Sequence, residues 1–590
     1  MAFNHFLFIF LMTMYVTSSF SFLIPDGIQK VKTKYGDIVG FIDQVKFDNH
    51  TNQVRKFLGI PYAEPPIRNL RFKKSIMKNS MPSPFMALTD GPQCLQDNVG
   101  NRSMTEDCLF LNIVTPIDSN TGRTPKPVMI WVHGGGFIAG SADRYPSDVI
   151  SAFNDVIVVT LNYRLGALGF FSTHDDNAKG NYGLWDQHLA FRWVYENIGD
   201  FGGNQNNITI FGESAGSSSV IYQMMYSGNE GIFKRVIAES GTLAGWGVGN
   251  FDSNYRESLE FGRLLGCNGN NHTMIVECLR KQTESDIASA AIQILKARPS
   301  VLNDTDPIWV PVFDDEFVSS KPNTILNSLK NERNGEKYHS FKSFDLLIGA
   351  NNFDGLVYFL ALLPYFKNTT GPKYDVFGEH LYDFVIPRSV EAALGEKPSP
   401  LALQLAKSEY TDWNDTNDIK KKLLIASQVY TDYALNAPTV QTAAAHVNID
   451  TSTYVYQFAR AAPPAITYGL PKRFEGKHIC NHGDDLAYVF GFKPNPYANF
   501  HDIKPEEINL SKAVMTMWTN FAKSGNPNYP VSLQPLYDVT WPEYDGTDEK
   551  YLVIDENMTP SSVKQRLAAR AVEFWNNVLP AVQTYSKARQ

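Results

Sequence analysis

Short, uninterrupted apolar runs rich in β-branched residues recur along this chain: VMIWVH (128–133), VIVVTLNY (156–163), ITIF (208–211), VIAE (236–239), FDLLIG (344–349) and TYVYQF (453–458). Strands covered on both faces read this way, and such strands belong to mostly parallel sheets. Parallel neighbours need crossover connections, and helical patterns lie between the runs. LWDQHLAFRWVYENI (184–198) carries apolar residues at helical spacing, and KAVMTMWTNFAKSG (512–525) ends on a glycine, a common helix stop. Strands alternating with helices predict an open α/β sheet rather than a sandwich. The stretches 268–340 and 365–450 are helix-rich and polar and read as insertions between strands, where such folds build pockets.

The run ITIF leads into Gly212-Glu213-Ser214-Ala215-Gly216, followed by the helix-like AGSSSVIYQMMY. A serine on a sharp strand-to-helix turn needs glycine two residues before and two after, because a side chain at either place would collide with tightly folded backbone. With 41 glycines in 590 residues the pattern alone is weak. The strand before it and the helix after it are the context that the motif requires, and they put Ser214 at a positive helix N-terminus. Upstream, at the end of another strand, stands His133-Gly134-Gly135-Gly136-Phe137. Alone this reads also as a flexible turn. Beside the serine elbow it predicts an oxyanion hole made by the amides of Gly135, Gly136 and Ala215, since consecutive glycines leave backbone N–H groups uncovered.

The first residues hold an apolar stretch from Phe6 to Val16, too short to span a bilayer core of about 30 Å. It reads as the core of a signal peptide over residues 1–21, cleaved after the small pair Ser19 and Ser21, although no Lys or Arg precedes it. N-x-S/T sequons at Asn49, Asn101, Asn207, Asn271, Asn303, Asn368, Asn414, Asn509 and Asn557 are glycosylation candidates and suit the same route. No later segment reaches eighteen apolar residues, and the end TYSKARQ resembles neither a retention signal nor a lipid-anchor tail. The expectation is a secreted, extracellular protein without a membrane anchor. Of 5 cysteines, the spacing suggests two short disulfide loops, Cys94 with Cys108 and Cys267 with Cys278, leaving Cys480 odd. Scattered singly, they do not look like metal ligands, and no other motif asks for a metal or cofactor. With 53 basic against 61 acidic residues and no run of five basic ones, nucleic acid is excluded as a partner. No repeat, heptad or low-complexity linker breaks the chain and 43% of it is hydrophobic, so residues 22–590 read as a single domain.

The motifs stand inside a longer pattern. FLGIPYAEPPIRNLRF (57–72), EDCLFLNIVTP (106–116), VMIWVHGGGF, LNYRLGALGFF (161–171), GNYGLWDQHLAFRWV, FGGNQNNITIFGESAG (201–216), HGDDLAYVFG (482–491) and MWTNFAKSGNPN (517–528) run through most of the chain. Together they make it resemble the carboxylesterase type B and cholinesterase family of α/β-hydrolases. The resemblance implies an α/β-hydrolase fold: a large central, mostly parallel sheet flanked by helices with helical insertions. It also implies the two disulfides already suggested, and a structural ion pair of Arg71 with Glu106.

Enzymes of this fold order their triad as Ser, acid, His, so the base lies late. Among 12 histidines, His482 matches the base of the similar enzymes, whereas His478 does not. The matching acid is Asp354 in IGANNFDGLVYF, where most relatives carry Glu. A carboxylate one methylene shorter needs its backbone about 1.5 Å nearer, or a shifted ring, to orient the imidazole. Asp484 and Asp485 remain as other acids, and Ser240, in AESGTLAGW, is a donor to whichever acid serves. The reaction expected is attack by Ser214 on a small-molecule ester, with His482 taking the proton and water later releasing the acyl group.

For choline esters the resemblance asks for aromatic faces, as a cation needs. LQDNVGNRSMTED, between Cys94 and Cys108, has none, and Val357 stands where such enzymes carry a second. Juvenile-hormone esterases have Gln where this chain has Glu213. A general carboxylic-ester hydrolase is left, with lipid esters as a further substrate class. Trp246 and LVYFLALLPYF (356–366) read either as pocket lining or as ordinary core. The rival reading is a catalytically silent, adhesive or structural member of the family, which would typically lack a triad residue.

Overall fold

A computed structural model describes residues 27–97, 103–117, 124–245, 251–269, 271–297, 308–320, 324–326, 328, 340–357, 381–414, 419–463, 479–492 and 503–589. Its centre is a 13-stranded sheet. In chain order the main strands are β1 (Ile28–Thr33), β2 (Gly36–Phe47), β3 (His50–Pro61), β4 (Phe110–Pro116), β5 (Lys126–Val132), β6 (Ile157–Leu161), β7 (Gly203–Glu213), β8 (Arg235–Glu239), β9 (Asp345–Asn351), β10 (Thr453–Phe458), β11 (Lys550–Ile554) and β12 (Val563–Gln565). Across the sheet they lie in the order β1-β2-β3-β4-β6-β5-β7-β8-β9-β10-β11-β12, with the stub Phe85–Met86 beside β2. From β6 to β11 every neighbour is parallel, and the antiparallel pairs lie at the two edges.

Each apolar run of the sequence is one of the parallel strands, and the burial pattern explains why none alternates. On β5, Val128, Ile130 and Val132 point into one core, while Met129 and Trp131 point into the core behind the sheet. Helix α1 (Tyr182–Asn197) and helix α2 (Ala215–Met225) pack on the first face, and α3 (Pro505–Ser524) packs on the second. Fully burying each such Val, Ile or Leu contributes roughly 1.5–3 kcal/mol over leaving it exposed, so two covered faces favour unbroken apolar runs. Helix α3 starts earlier than the pattern 512–525 predicts. Pro505, with its preset φ, takes the first turn, and Gly525 ends the helix at φ +81°.

The edge strands β1 to β3 have no counterpart among the apolar runs. Polar residues intersperse GDIVGFIDQVKF, because this hairpin is only partly covered. The described parts of the two insertions are mostly helical, with 308–320 irregular, and Ile386–Leu394, Pro400–Glu409 and Ile419–Thr431 contribute to a third apolar core.

The parallel register positions the site. Glu213 at the end of β7 pairs with Glu239 at the end of β8, and Glu239 pairs with Gly349 on β9. On the other side Gly212 pairs with Val132 at the end of β5. The residues that leave these strands therefore meet along one edge: the glycine loop after β5, Ser214 after β7, Ser240 after β8 and Asp354 after β9.

Candidate active site

Ser214 holds φ 60° and ψ −123° between strand β7 and helix α2, a conformation an L-residue adopts only at a cost of about 1–3 kcal/mol. The neighbours show why the turn tolerates no other residue at its glycines. A Cβ on Gly216 would fall 1.9 Å from the Val132 carbonyl oxygen, and one on Gly212 would fall 2.6 Å from the same oxygen. The turn is pinned by the Ser214 amide, which donates to the Glu239 carbonyl at 2.9 Å. Ala215 then opens α2, so its N–H is one of the first-turn donors left without an intrahelical acceptor.

The glycine loop lies against this turn. A Cβ on Gly134 would come within 2.9 Å of the Ser214 Cβ and 2.6 Å of Glu213 Oε2. Gly135 at φ +108° and Gly136 at φ +62° take left-handed conformations that glycine adopts freely, and Gly135 could not carry a side chain because Ala139 O lies where its Cβ would be. His133 is fully buried. Its Nδ1 donates to Gly134 O at 2.8 Å, its ring stacks on Tyr163 at 4.4 Å, and burial lowers its pKa to about 4. This histidine is therefore a neutral brace of the loop.

His482 reaches the turn from the far side. Its Nδ1 donates to Asp354 Oδ1 at 2.6 Å, and its Nε2 lies 3.1 Å from Oε1 of Glu213, the residue next to Ser214. Asp354 is fully buried. Its other oxygen accepts from Ser240 Oγ and from the Asn351 amide, both at 2.7 Å. The structure thus brings Ser214, Asp354, His482, the glycine loop and Ser240 to one edge. Asp484 and Asp485 stand apart from the imidazole Nδ1: Asp484 Oδ2 accepts from the Asn481 amide at 2.8 Å, and Asp485 Oδ1 from Asn351 Nδ2 at 3.1 Å.

Acidity is concentrated here to a degree that the motifs do not signal. Burial pushes Glu213 up to about 7, against the pull of His482, and pushes Asp484 up to about 8. Burial and then the Asp354 charge raise Asp485 to about 6, and burial carries Glu239 well above the usual carboxylate range although Trp518 donates to it at 2.9 Å. Burial lowers the His482 pKa, but the Glu213 charge and then the Asp354 hydrogen bond and charge more than offset this and bring it to about 9. The contact of Glu213 with His482 is not legible in the sequence. Its only signal is the acid beside the nucleophile, which spacing cannot relate to a histidine far along the chain.

Cys94 is bridged to Cys108 and Cys267 to Cys278, while Cys480 is a buried free thiol. The buried Arg71 donates from Nε to Glu106 Oε2 at 2.7 Å. Of the sequons, Asn49, Asn271, Asn414 and Asn557 are exposed and Asn509 is half-buried. Asn207 is half-buried, with its amide nitrogen donating to Lys523 O and its amide oxygen accepting from Arg235. Residues 1–21, Asn101, Asn303, Asn368, Trp246, His478 and the run 358–366 lie outside the described residues. Among the described residues no His, Cys, Asp and Glu cluster has the arrangement of a metal site, and no helix is long and apolar enough to cross a membrane.

The carboxylesterase family profile matches residues 28–575. Neuroligin-2 of Mus musculus is 32% identical over 93% of this chain and 67% of its own length. Carboxylesterase 1D of Mus musculus is 32% identical over 93% of both chains, and the medium-chain fatty acyl-CoA hydrolase precursor of Anas platyrhynchos is 31% identical over 96% of both. With this agreement along nearly the whole chain, and with the strand order and serine turn described above, the chain belongs to the carboxylesterase family.

Proposed function

We propose that this protein is a secreted serine hydrolase of apolar carboxylic esters, with Ser214 as nucleophile, His482 as base and Asp354 as the acid that orients the base. The observation that carries this reading is the His482 ring, held by Asp354 at Nδ1 with Nε2 at the serine turn. Relatives named as hydrolases and relatives named neuroligin match at the same level of identity, so the choice rests on the site rather than on the resemblance.

An acid on Nδ1 fixes the tautomer whose Nε2 can take a proton from Ser214 Oγ, and it stabilises the imidazolium that results. The alkoxide adds to the ester carbonyl, and the amides of Gly135, Gly136 and Ala215 receive the oxyanion. Each donor supplies about 3 kcal/mol of transition-state stabilisation. His482 then protonates the departing alcohol, and water repeats both steps on the acyl-enzyme. The chain's own groups supply every role.

The catalytically silent alternative would need a missing or misplaced group, and all three triad positions are filled. Hydrolysis of a short-chain aryl ester by the purified protein, lost in Ser214→Ala and accompanied by organophosphate labelling of Ser214, is the expected result. An inert wild-type protein, or labelling elsewhere with activity intact in the variant, would favour the silent reading.

A further inference from the structure

The described part of the loop bridged by Cys94 and Cys108 makes one contact outside itself that bears on the glycine loop. Gln96, buried at 8% exposure, donates from Nε2 to the Gly140 carbonyl at 2.8 Å and accepts the Gly140 amide on Oε1 at 2.9 Å. Nε2 also donates to Cys94 O at 3.1 Å, and Arg144 Nη2 donates to Oε1 at 3.4 Å. A primary amide carries a donor and an acceptor side by side in one plane, so it can give and take a hydrogen bond from a single residue's backbone in this way. Gly140 is packed in turn onto the oxyanion loop: at φ +120°, a Cβ there would lie 2.3 Å from His133 Nδ1 and 2.5 Å from Gly134 O. Between these points Ile138 and Ala139 donate to Gly135 O, at 3.1 and 3.0 Å. Force applied at Gly140 is therefore carried directly to Gly134 and Gly135.

We propose that Gln96 is a positioning residue of the oxyanion hole: it clamps both backbone groups of Gly140 and, through the Cys94–Cys108 loop, fixes where the Gly135 and Gly136 amides point. This rests on the ester-hydrolase reading. The physical basis is that oxyanion donors stabilise charge only if held in place beforehand, so an amide displaced by a fraction of an ångström loses its differential strength for the transition state while ground-state binding of the substrate is little changed. Glutamate at this position would keep length and acceptor but turn a second acceptor toward the Gly140 carbonyl. Leucine would remove both bonds.

The test compares wild type, Gln96→Leu and Gln96→Glu on a short-chain aryl ester, with active sites counted by an organophosphate burst so that misfolded protein is not scored. An aryl trifluoromethyl ketone, whose hemiketal oxyanion occupies the same hole, supplies a second readout. The expected result is a fall in kcat per active site of about 10- to 100-fold with KM within about twofold, and a parallel loss of ketone affinity. A residue that only supports the fold would lower the number of active sites and leave kcat per site and ketone affinity alone. That outcome, or a fall in kcat with unchanged ketone affinity, overturns the proposal. If wild type hydrolyses no ester, the ester-hydrolase reading fails by itself, and the clamp is read by hydrogen exchange of residues 133–140. Faster exchange in Gln96→Leu upholds the clamp, and equal exchange in both proteins overturns it.

Discussion

Asp354 reaches His482 Nδ1 at 2.6 Å with a side chain one methylene shorter than glutamate, and the backbone that follows it is tightly held. Gly355 presses against the Ile419–Thr431 helix, where a Cβ would meet Ser427 O at 2.4 Å, while its amide donates to Thr431 Oγ1 at 2.9 Å. Asp354→Asn is expected to keep the fold and favour the wrong imidazole tautomer, with turnover down about 10⁴-fold in steady-state kinetics. Near-normal turnover would move the acid to Asp484 or Asp485. Glu213 sets a second expectation. Burial opposes protonation of His482, but the Glu213 charge heads the influences that raise it to about 9. Removing that charge in Glu213→Gln lowers the pKa of His482, and a base works only when deprotonated. The rising limb of kcat/KM against pH should therefore move to lower pH in the variant, and an unmoved or upward-shifted limb would contradict the pairing. At this scale, residue types were legible in the sequence but their contacts were not. The glycine pattern marked Ser214, whereas the pairing of Glu213 with His482 joins residues from β7 and from a loop near the chain's end.

The strand-turn-helix around Ser214 is the element whose local sequence says most, because its requirements are steric and short-range. Gly216→Ala would place a methyl 1.9 Å from the Val132 carbonyl, a backbone atom that cannot swing aside. A loss of stability of about 3 kcal/mol, seen in chemical denaturation, is expected together with loss of ester hydrolysis, since the nucleophile must move with the turn. Full stability and activity in that variant would show that α2 can slide on β5. The parallel strands were equally readable, their double-sided burial having left unbroken apolar runs. The hairpin of β2 and β3 was not, since a partly covered strand carries polar residues that local pattern does not distinguish from loop. Helix α3 carries apolar spacing and a glycine stop over most of its length, yet its first residues, PEEINLS, are polar and have no such signature.

Over the whole molecule the buried titratable groups make stability depend on pH. Burial holds Glu213, Asp484 and Asp485 at about 7, 8 and 6, above the values of about 4 expected when unfolded. The folded chain thus keeps protons that the unfolded chain releases, and stability falls as pH rises from about 4 to 8. His482, raised to about 9, acts in the same direction between 6.5 and 9. Burial lowers His133 and His446 to about 4, so the unfolded chain takes up protons first, and these two groups act in the opposite direction below pH 6.5. Between pH 4 and 6.5 the three carboxyls outweigh these two histidines, so calorimetric Tm should fall from pH 6 to 9, and a Tm that climbs steadily over that range would refute the account. By itself the sequence determined the parallel sheet, the serine turn and the glycine loop, because each follows from burial or sterics among residues close in the chain. Only the tertiary structure decided that Asp354 rather than Asp484 or Asp485 meets His482 Nδ1, that Glu213 faces its Nε2, and that Gln96 holds Gly140. Those contacts depend on how the ends of separate strands and loops are brought into register, and hydrogen-bond geometry of a few tenths of an ångström across the fold leaves no trace in local spacing.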